Sequence, residues 1–368
     1  MKPVHIISAL AIAGLIIVGG AILGNRGPGM ARAESLPGSD DYYATNRQAN
    51  EEYRSGNYQA AITDYGRMIA MNPNKIDGYL LRAFAYRKVR MHTQAIADDT
   101  RALQLLNTPA GFQELGFPGS TNQFKKTHLP EQKAGLYVNR GLAYQDMGDH
   151  AHAIADFTAG IAIYPAIGDA YGARALSLYL TGQYAKALPD ANKDVNAEPK
   201  VWHAYLTRGQ ILAKLGQQKP ALADLSKAIA LNPGDSRAYA EKSRLQRQNH
   251  DYSGEVNTWR GAAQANPGRS FFVSNLGWAQ YLAGDVPGAI ATDQKALKLP
   301  GNKVPTYCNL GLAYATQNNW PKASEQYQSI LSRAKPQDRA AALADVKNAL
   351  KKHPNVDALK KAAALLGA

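Results

Sequence analysis

Asn139 to Pro165 reads NRGLAYQDMGDHAHAIADFTAGIAIYP, and its order of small residue, tyrosine, turn glycine, alanine and closing proline returns along the chain at a spacing of 34. Registered on Pro73, Pro165, Pro199, Pro233 and Pro267, the copies start near Tyr42, Ile76, Ala134, Gly168, Trp202, Ser236, Ser270 and Val304. Only the step from the second copy to the third departs from 34, being 24 residues longer. Self-similarity at this period describes units that bury an apolar face on their neighbours and cannot stand alone. Function is then to be sought on a surface rather than in a pocket.

Counting from the first residue of each copy, position 8 is Ala49, Ala83, Gly141, Ala175, Gly209, Ser243, Gly277 and Gly311. Position 20 is alanine in every copy except the sixth, which has Glu255. Two small positions predict helices in close contact, with position 20 facing position 8. Tyrosine fills position 4 in six copies (Tyr79, Tyr137, Tyr171, Tyr205, Tyr239, Tyr307), an apolar body with a polar tip suited to the seams between hairpins. Leu222, Leu225 and Ile229 have helical spacing, and Gly148, Gly182, Gly216 and Gly284 at position 15 supply a turn.

These residues, in the quoted stretch and in NLGLAYATQNNWPKASEQY (Asn309 to Tyr327), resemble the tetratricopeptide repeat. Eight copies cover about three quarters of the chain. The resemblance implies an all-α, right-handed superhelical solenoid of about eight helical hairpins whose first helices line a concave, peptide-binding face. It implies groove positions 2, 5, 9, 12 and 13, which here include Asn46, Asn50, Tyr53, Arg54, Arg87, Lys88, Arg244, Arg247, Trp278 and Tyr281. Aromatic and arginine side chains are the usual carriers of interface energy. The lysine, asparagine and arginine set with which chaperone-tail-binding members grip a terminal carboxylate is absent, since copy three offers Val138 and Leu142.

The chain has 368 residues, with 42 Lys and Arg against 29 Asp and Glu, a formal charge of +13 that favours acidic partners. One cysteine, Cys308, excludes an intramolecular disulfide and a thiolate zinc site. Residues 1–33 differ in kind from the rest. Ile6 to Leu23 is an uncharged apolar run of 18 residues, long for a signal-peptide core and short for a spanning helix. Ala31-Arg32-Ala33 offers a small-x-small cleavage pattern, so both a hydrophobic helical anchor and a cleaved signal are open. Either places the repeats outside the cytoplasm. Residues 34–41 read as a linker and 42–335 as the array, interrupted at 108–132 by a segment rich in Gly and Pro with Phe112, Phe117 and Phe124 as contact candidates. Residues 336–368 read as two basic amphipathic helices that cap the array, with a cationic docking helix as the alternative.

Copies two to five carry Arg82, Arg140, Arg174 and Arg208 at position 7 and Asp98, Asp156, Asp190 and Asp224 at position 23. An antiparallel hairpin sets these nearly level, which predicts structural Arg–carboxylate pairs. In copy six, Glu255 is expected to be held by Lys242 or Ser243 while Arg244 and Arg247 face the groove, unless the glutamate simply points to water.

His150 and His152 lack further ligands, Cys308 reads as packed, and no nucleophile motif, phosphate loop or dinucleotide fingerprint occurs. A non-enzyme without metal or cofactor is expected. The leading expectation is a scaffold that binds acidic or extended protein segments in a bacterial-type envelope complex, with the membrane engaged through Ile6–Leu23 if uncleaved. A subunit supporting secretion or modification of an anionic exopolysaccharide is the second reading. A nucleic-acid-binding helical repeat is disfavoured, because Gly172, Ala240 and Ser274 at position 5 supply no stacking surface.

Overall fold

The computed structural model describes the backbone of residues 39–108 and 122–367, with the side chains of 41–108 and 129–367. Ile6–Leu23, the Ala31–Ala33 pattern, Phe112 and Phe117 lie outside the described residues, as does the side chain of Phe124. Among the described residues all regular structure is helical, and no helix is long and apolar enough to cross a membrane.

Eight hairpins follow in order: α1 (Ser39–Ser55) with α2 (Tyr58–Met71), α3 (Ile76–Lys88) with α4 (His92–Leu106), α5 (Asn122–Asp146) with α6 (His150–Ile163), and α7 (Gly168–Leu180) with α8 (Tyr184–Ala197). Then come α9 (Trp202–Lys214) with α10 (Gln218–Leu231), α11 (Ser236–Gln248) with α12 (Tyr252–Ala265), α13 (Ser270–Leu282) with α14 (Val286–Lys298), and α15 (Val304–Thr316) with α16 (Trp320–Arg333). A last pair is α17 (Pro336–Lys352) and α18 (Asp357–Gly367). Contacts divide the chain into two compact units, one ending at Pro199 and one beginning at Lys200. Two boundaries differ from the sequence reading. α1 begins at Ser39, within the expected linker, and α5 begins at Asn122, so the last residues of the insertion extend the first helix of the third hairpin.

The turn chemistry is shared by all eight copies. Position 15 is left-handed throughout, as Gly56, Gly148, Gly182, Gly216 and Gly284 but also as Arg90, His250 and Asn318. The next residue donates its backbone N–H to the carbonyl of position 11, as in Asp149 to Tyr144 and Asp251 to Gln246 at 2.9 and 2.8 Å. This is the six-to-one closure of a helix end by a left-handed residue. Asp149, Asp251, Asp285 and Asn319 then cap the second helix by accepting backbone N–H bonds.

Small residues at position 8 serve a contact other than the expected one. A Cβ on Gly141, Gly209 or Gly311 would meet Phe157, Leu225 or Tyr327, at 2.8, 3.1 and 2.7 Å, and these are at position 24. The antiparallel register sets the sum of facing positions near 32, so position 8 meets 24 while position 20 lies level with position 12. Between hairpins, the Tyr79 and Tyr171 hydroxyls donate to the carbonyls of Pro73 and Pro165, at 3.1 and 3.0 Å, tying each tyrosine to the preceding copy.

The Arg–Asp pairs form in all four copies that carry them, each through Nε and a terminal nitrogen of the guanidinium. Arg140 and Arg174 also donate to Thr100 and Thr158 of the preceding second helix, at 3.0 and 3.1 Å, so one side chain fastens three helices. Copies six and seven replace the pair with a neutral one, Thr258 to Gln246 and Thr292 to Gln280, at 2.8 and 2.7 Å.

Candidate functional site

Within each unit the first helices of successive hairpins approach one another, at α3/α5 and α5/α7 in the first and at α9/α11 and α13/α15 in the second. The first-helix side is therefore the inner side of the curve in each unit, and a ligand-binding face is to be sought there.

In the first unit, Tyr53 on α1 and Arg87 and Lys88 on α3 adjoin. Burial pushes the Tyr53 hydroxyl up to about 12, the neighbouring Tyr58 adds to this, and the Arg87 charge pulls it back. Lys88 is half-buried, and burial and the Arg87 charge both hold its ammonium below the ordinary value. Arg54, at the end of α1, is exposed. An electropositive strip with an aromatic wall results, suited to a carboxylate-bearing segment.

Asn46 and Asn50 contribute differently. Both are buried, Asn50 Nδ2 donates to Asn46 Oδ1 at 2.7 Å, and Tyr65 donates its hydroxyl to Asn50 Oδ1 at 2.9 Å. They hold α1 against α2 and present no amide to the groove. Arg87 is likewise engaged, donating to Asp146 at 3.2 Å and to Asn139 at 3.1 Å. Asn139 in turn donates its amide to both oxygens of Asp99, at 2.8 and 2.6 Å. Asp99 is wholly buried, and burial drives its carboxyl far above the ordinary range, with Asn139 working against it. This network spans the seam between α4 and α5, where the insertion enters.

Sequence reading missed this network, although its signal is present. Position 24 is aromatic in Tyr65, Phe157, Trp259 and Tyr327, but is an acid in Asp99 and Asp293. Asn309, like Asn139 at position 6 of the following copy, meets its acid, with Nδ2 3.5 Å from Asp293 Oδ1. Burial pushes Asp293 up to about 8, against the hydrogen bonds of Asn309 and Ser274.

In the second unit, Glu255 is wholly buried and takes hydrogen bonds from Ser243 at 2.7 Å and from both Nε and a terminal nitrogen of Arg247. Trp259 Nε1 donates to the same Ser243 oxygen at 2.8 Å. Ser243 thus acts as expected, whereas Lys242 takes no part and Arg247, its side chain still 41% exposed, is bonded to the glutamate. The reason is register: positions 12 and 20 are level, and a buried carboxylate without a donor is far costlier than a tethered arginine. Arg244 is held by Glu241 and Gln248, each bond 3.0 Å. Trp278 and Tyr281 stack, with ring centroids 5.6 Å apart and planes at 20°, and pack against the terminal apolar cluster that includes α17 and α18. Cys308 joins them there, its thiol pushed up to about 12, first by burial. No group of three metal-ligating side chains occurs among the described residues.

The tetratricopeptide repeat family pattern matches residues 134–167 and 203–235. Human tetratricopeptide repeat protein 28 is 27% identical over 158 residues, which are 42% of this chain and 5% of the human protein's length. A tetratricopeptide repeat protein from Parabacteroides merdae aligns at 16% identity and a TM-score of 0.49, over 80% of this chain and 99% of that one. YrrB, a repeat protein with an unusual peptide-binding site, aligns at 18% identity and a TM-score of 0.43, over 55% of this chain and 92% of its own. With a regular 34-residue period, hairpins folded on it, and the family pattern in two of them, this chain is a tetratricopeptide repeat protein.

Proposed function

We propose that this protein is a membrane-tethered or exported scaffold that gathers an extracytoplasmic complex by binding acidic or extended protein segments on its first-helix faces. A repeat solenoid of this family is suited to protein–protein interaction. The observation that carries the finer reading is the adjoining set of Tyr53, Arg54 and Lys88, where Lys88 is half-buried beside Arg87 and takes no ion pair among the described residues. An acidic segment laid there would supply the missing charge. Ile6–Leu23 supports delivery to a membrane, since an uncharged run of this length has no place in a solvated array.

The test is recovery of partners from native membranes with the full chain, wild type against an Arg54→Glu, Lys88→Glu variant of equal helicity. Loss of a protein partner from the variant is expected. An unchanged set of partners would refute the strip as the site, and retention of an anionic polysaccharide in place of protein would favour the polysaccharide reading. Alkaline extraction and amino-terminal sequencing of the exported chain decide between an anchor and a cleaved signal.

A further inference from the structure

The eighth hairpin is continued in an exchanged order. Elsewhere within each unit, the first helix of a hairpin packs on the second helix of the one before, as α3 does on α2 and α13 on α12. After α16 that place is taken by α18, while α17 packs on α15, a first helix. Burial records the difference. In α15 every residue from Leu310 to Ala315 is buried, including Leu312 and Ala315 at groove positions 9 and 12. At the same positions α13 has Trp278 and Tyr281 only half-buried, and α9 has Gln210 and Ala213 likewise.

α15 is covered by α18 and by α17, the latter through the stripe Ala342, Val346 and Ala349, spaced as one face of a helix. Asp345 lies beside that stripe. Its charge is felt at Tyr281 on α13, at Cys308 on α15 and, favourably, at Arg247 on α11. α17 therefore lies on the inner side of the eighth hairpin, where Trp278 and Tyr281 of the seventh pack against the same cluster, while Lys347, Lys351 and Lys352 are exposed.

We propose that α17 is an internal occupant of the second unit's groove, and that it gives way to a partner's amphipathic helix of the same chemistry. That helix would carry small apolar side chains at i, i+4 and i+7 and a carboxylate facing Arg247. Two features make the seat exchangeable. Two of its three fully buried side chains are alanines, which contribute little apolar area, with Leu343 and Leu350 half-buried beside them. Asp345 is half-buried opposite an arginine already committed to Glu255. α18 has further seats of its own, packing on α16 and α15 as well as on α17, and is tied to the preceding hairpin by Ala358 N–H donating to Asn318 Oδ1 at 3.0 Å. The inference rests on the reading that first-helix faces bind partners.

Cys308, the only cysteine of the chain, lies in the cluster that α17 covers and serves as the reporter. The experiment follows its labelling by a thiol reagent in the full chain across a urea series, beside far-ultraviolet circular dichroism. Wild type is expected to label through an opening that depends only weakly on urea below the global transition. Val346→Glu should label about tenfold faster or more at unchanged helicity, an opening that no longer has to unseat a well-packed valine. Val346→Ala, a milder change, should move in the same direction if the glutamate variant does not fold. A fluorescent peptide of residues 336–352 should bind wild type by displacing α17 and bind the Val346→Glu chain at least about tenfold more tightly, and the peptide with Asp345→Lys should bind either chain at least about tenfold more weakly. Labelling that tracks global unfolding in wild type and variants alike would overturn the proposal, as would an opened groove that takes no peptide. Neither outcome bears on the strip of the first unit, whose partners are assayed separately.

Discussion

Arg174 and Asp190 allow the repeated clamp to be tested by the asymmetry of its two halves. Arg174 donates Nε and a terminal nitrogen to the two Asp190 oxygens, at 2.6 and 2.9 Å, and a third hydrogen bond to Thr158 at 3.1 Å. The side chains are 18% and 8% exposed, so the guanidinium has a path to water that the carboxylate lacks. Arg174→Met leaves Asp190 charged, buried and without its donor, a loss of about 3 kcal/mol at the lower end for a broken buried pair. Asp190→Leu removes the acceptor but lets the arginine swing toward solvent, a loss of about 1.5 kcal/mol, near that of one charge-assisted hydrogen bond. Arg174→Met with Asp190→Leu removes both polar groups and should fall within about 1.5 kcal/mol of wild type. The coupling energy from the cycle is then about 3 kcal/mol, well beyond the error of additivity. Urea unfolding by circular dichroism measures it, with midpoints compared at constant slope. Equal effects of the two single changes, adding without coupling, would show the clamp to be an ordinary screened surface pair.

His250 is left-handed at φ 57 and exposed, so His250→Gly should raise stability by about 1 kcal/mol by relieving a conformation unfavourable to a side chain; an unchanged urea midpoint would contradict this. Gly311→Ala would place its Cβ 2.7 Å from the buried ring of Tyr327 and should destabilise the chain by about 1–3 kcal/mol, seen as a lower thermal midpoint. Burial holds Asp293 at about 8, so between that pH and the ordinary carboxylate value the folded state keeps a proton that the unfolded chain has released. Stability should therefore fall as pH rises from about 4 to about 8, and Asp293→Asn should flatten the thermal midpoint over that window. A profile identical in the variant would exclude the assignment.

The features legible in the sequence are those that recur at one offset. Arg and Asp 16 residues apart in four copies declare their pairing, because the hairpin geometry repeats and any chance arrangement would not. The same register also joins Arg247 to Glu255, eight residues away across a tight turn, but the pair occurs once and competes with the resemblance that assigns position 12 to the groove. Asp99 and Asn139 are 40 residues apart because the insertion falls between them, which hides a contact that Asp293 and Asn309 make at 16. The left-handed turns at Arg90, His250 and Asn318 escape a search for glycine, since the hairpin imposes the conformation on whatever residue is there. Of the candidate groove residues, Tyr53, Arg54 and Lys88 keep groove-side character, while Asn46, Asn50 and Arg87 are drawn into packing that residue type alone does not reveal. Both terminal helices are amphipathic, and apolar spacing states which face is buried without naming the neighbour that buries it.

With α18 seated on α16, the stack has a stopper. A further 34-residue hairpin grafted after Arg333 would have to compete with a helix already docked there, so lengthening the array at this end requires removing residues 336–368 first. The same stopper keeps the open face of α16 from serving as an adhesive end for another molecule's first hairpin.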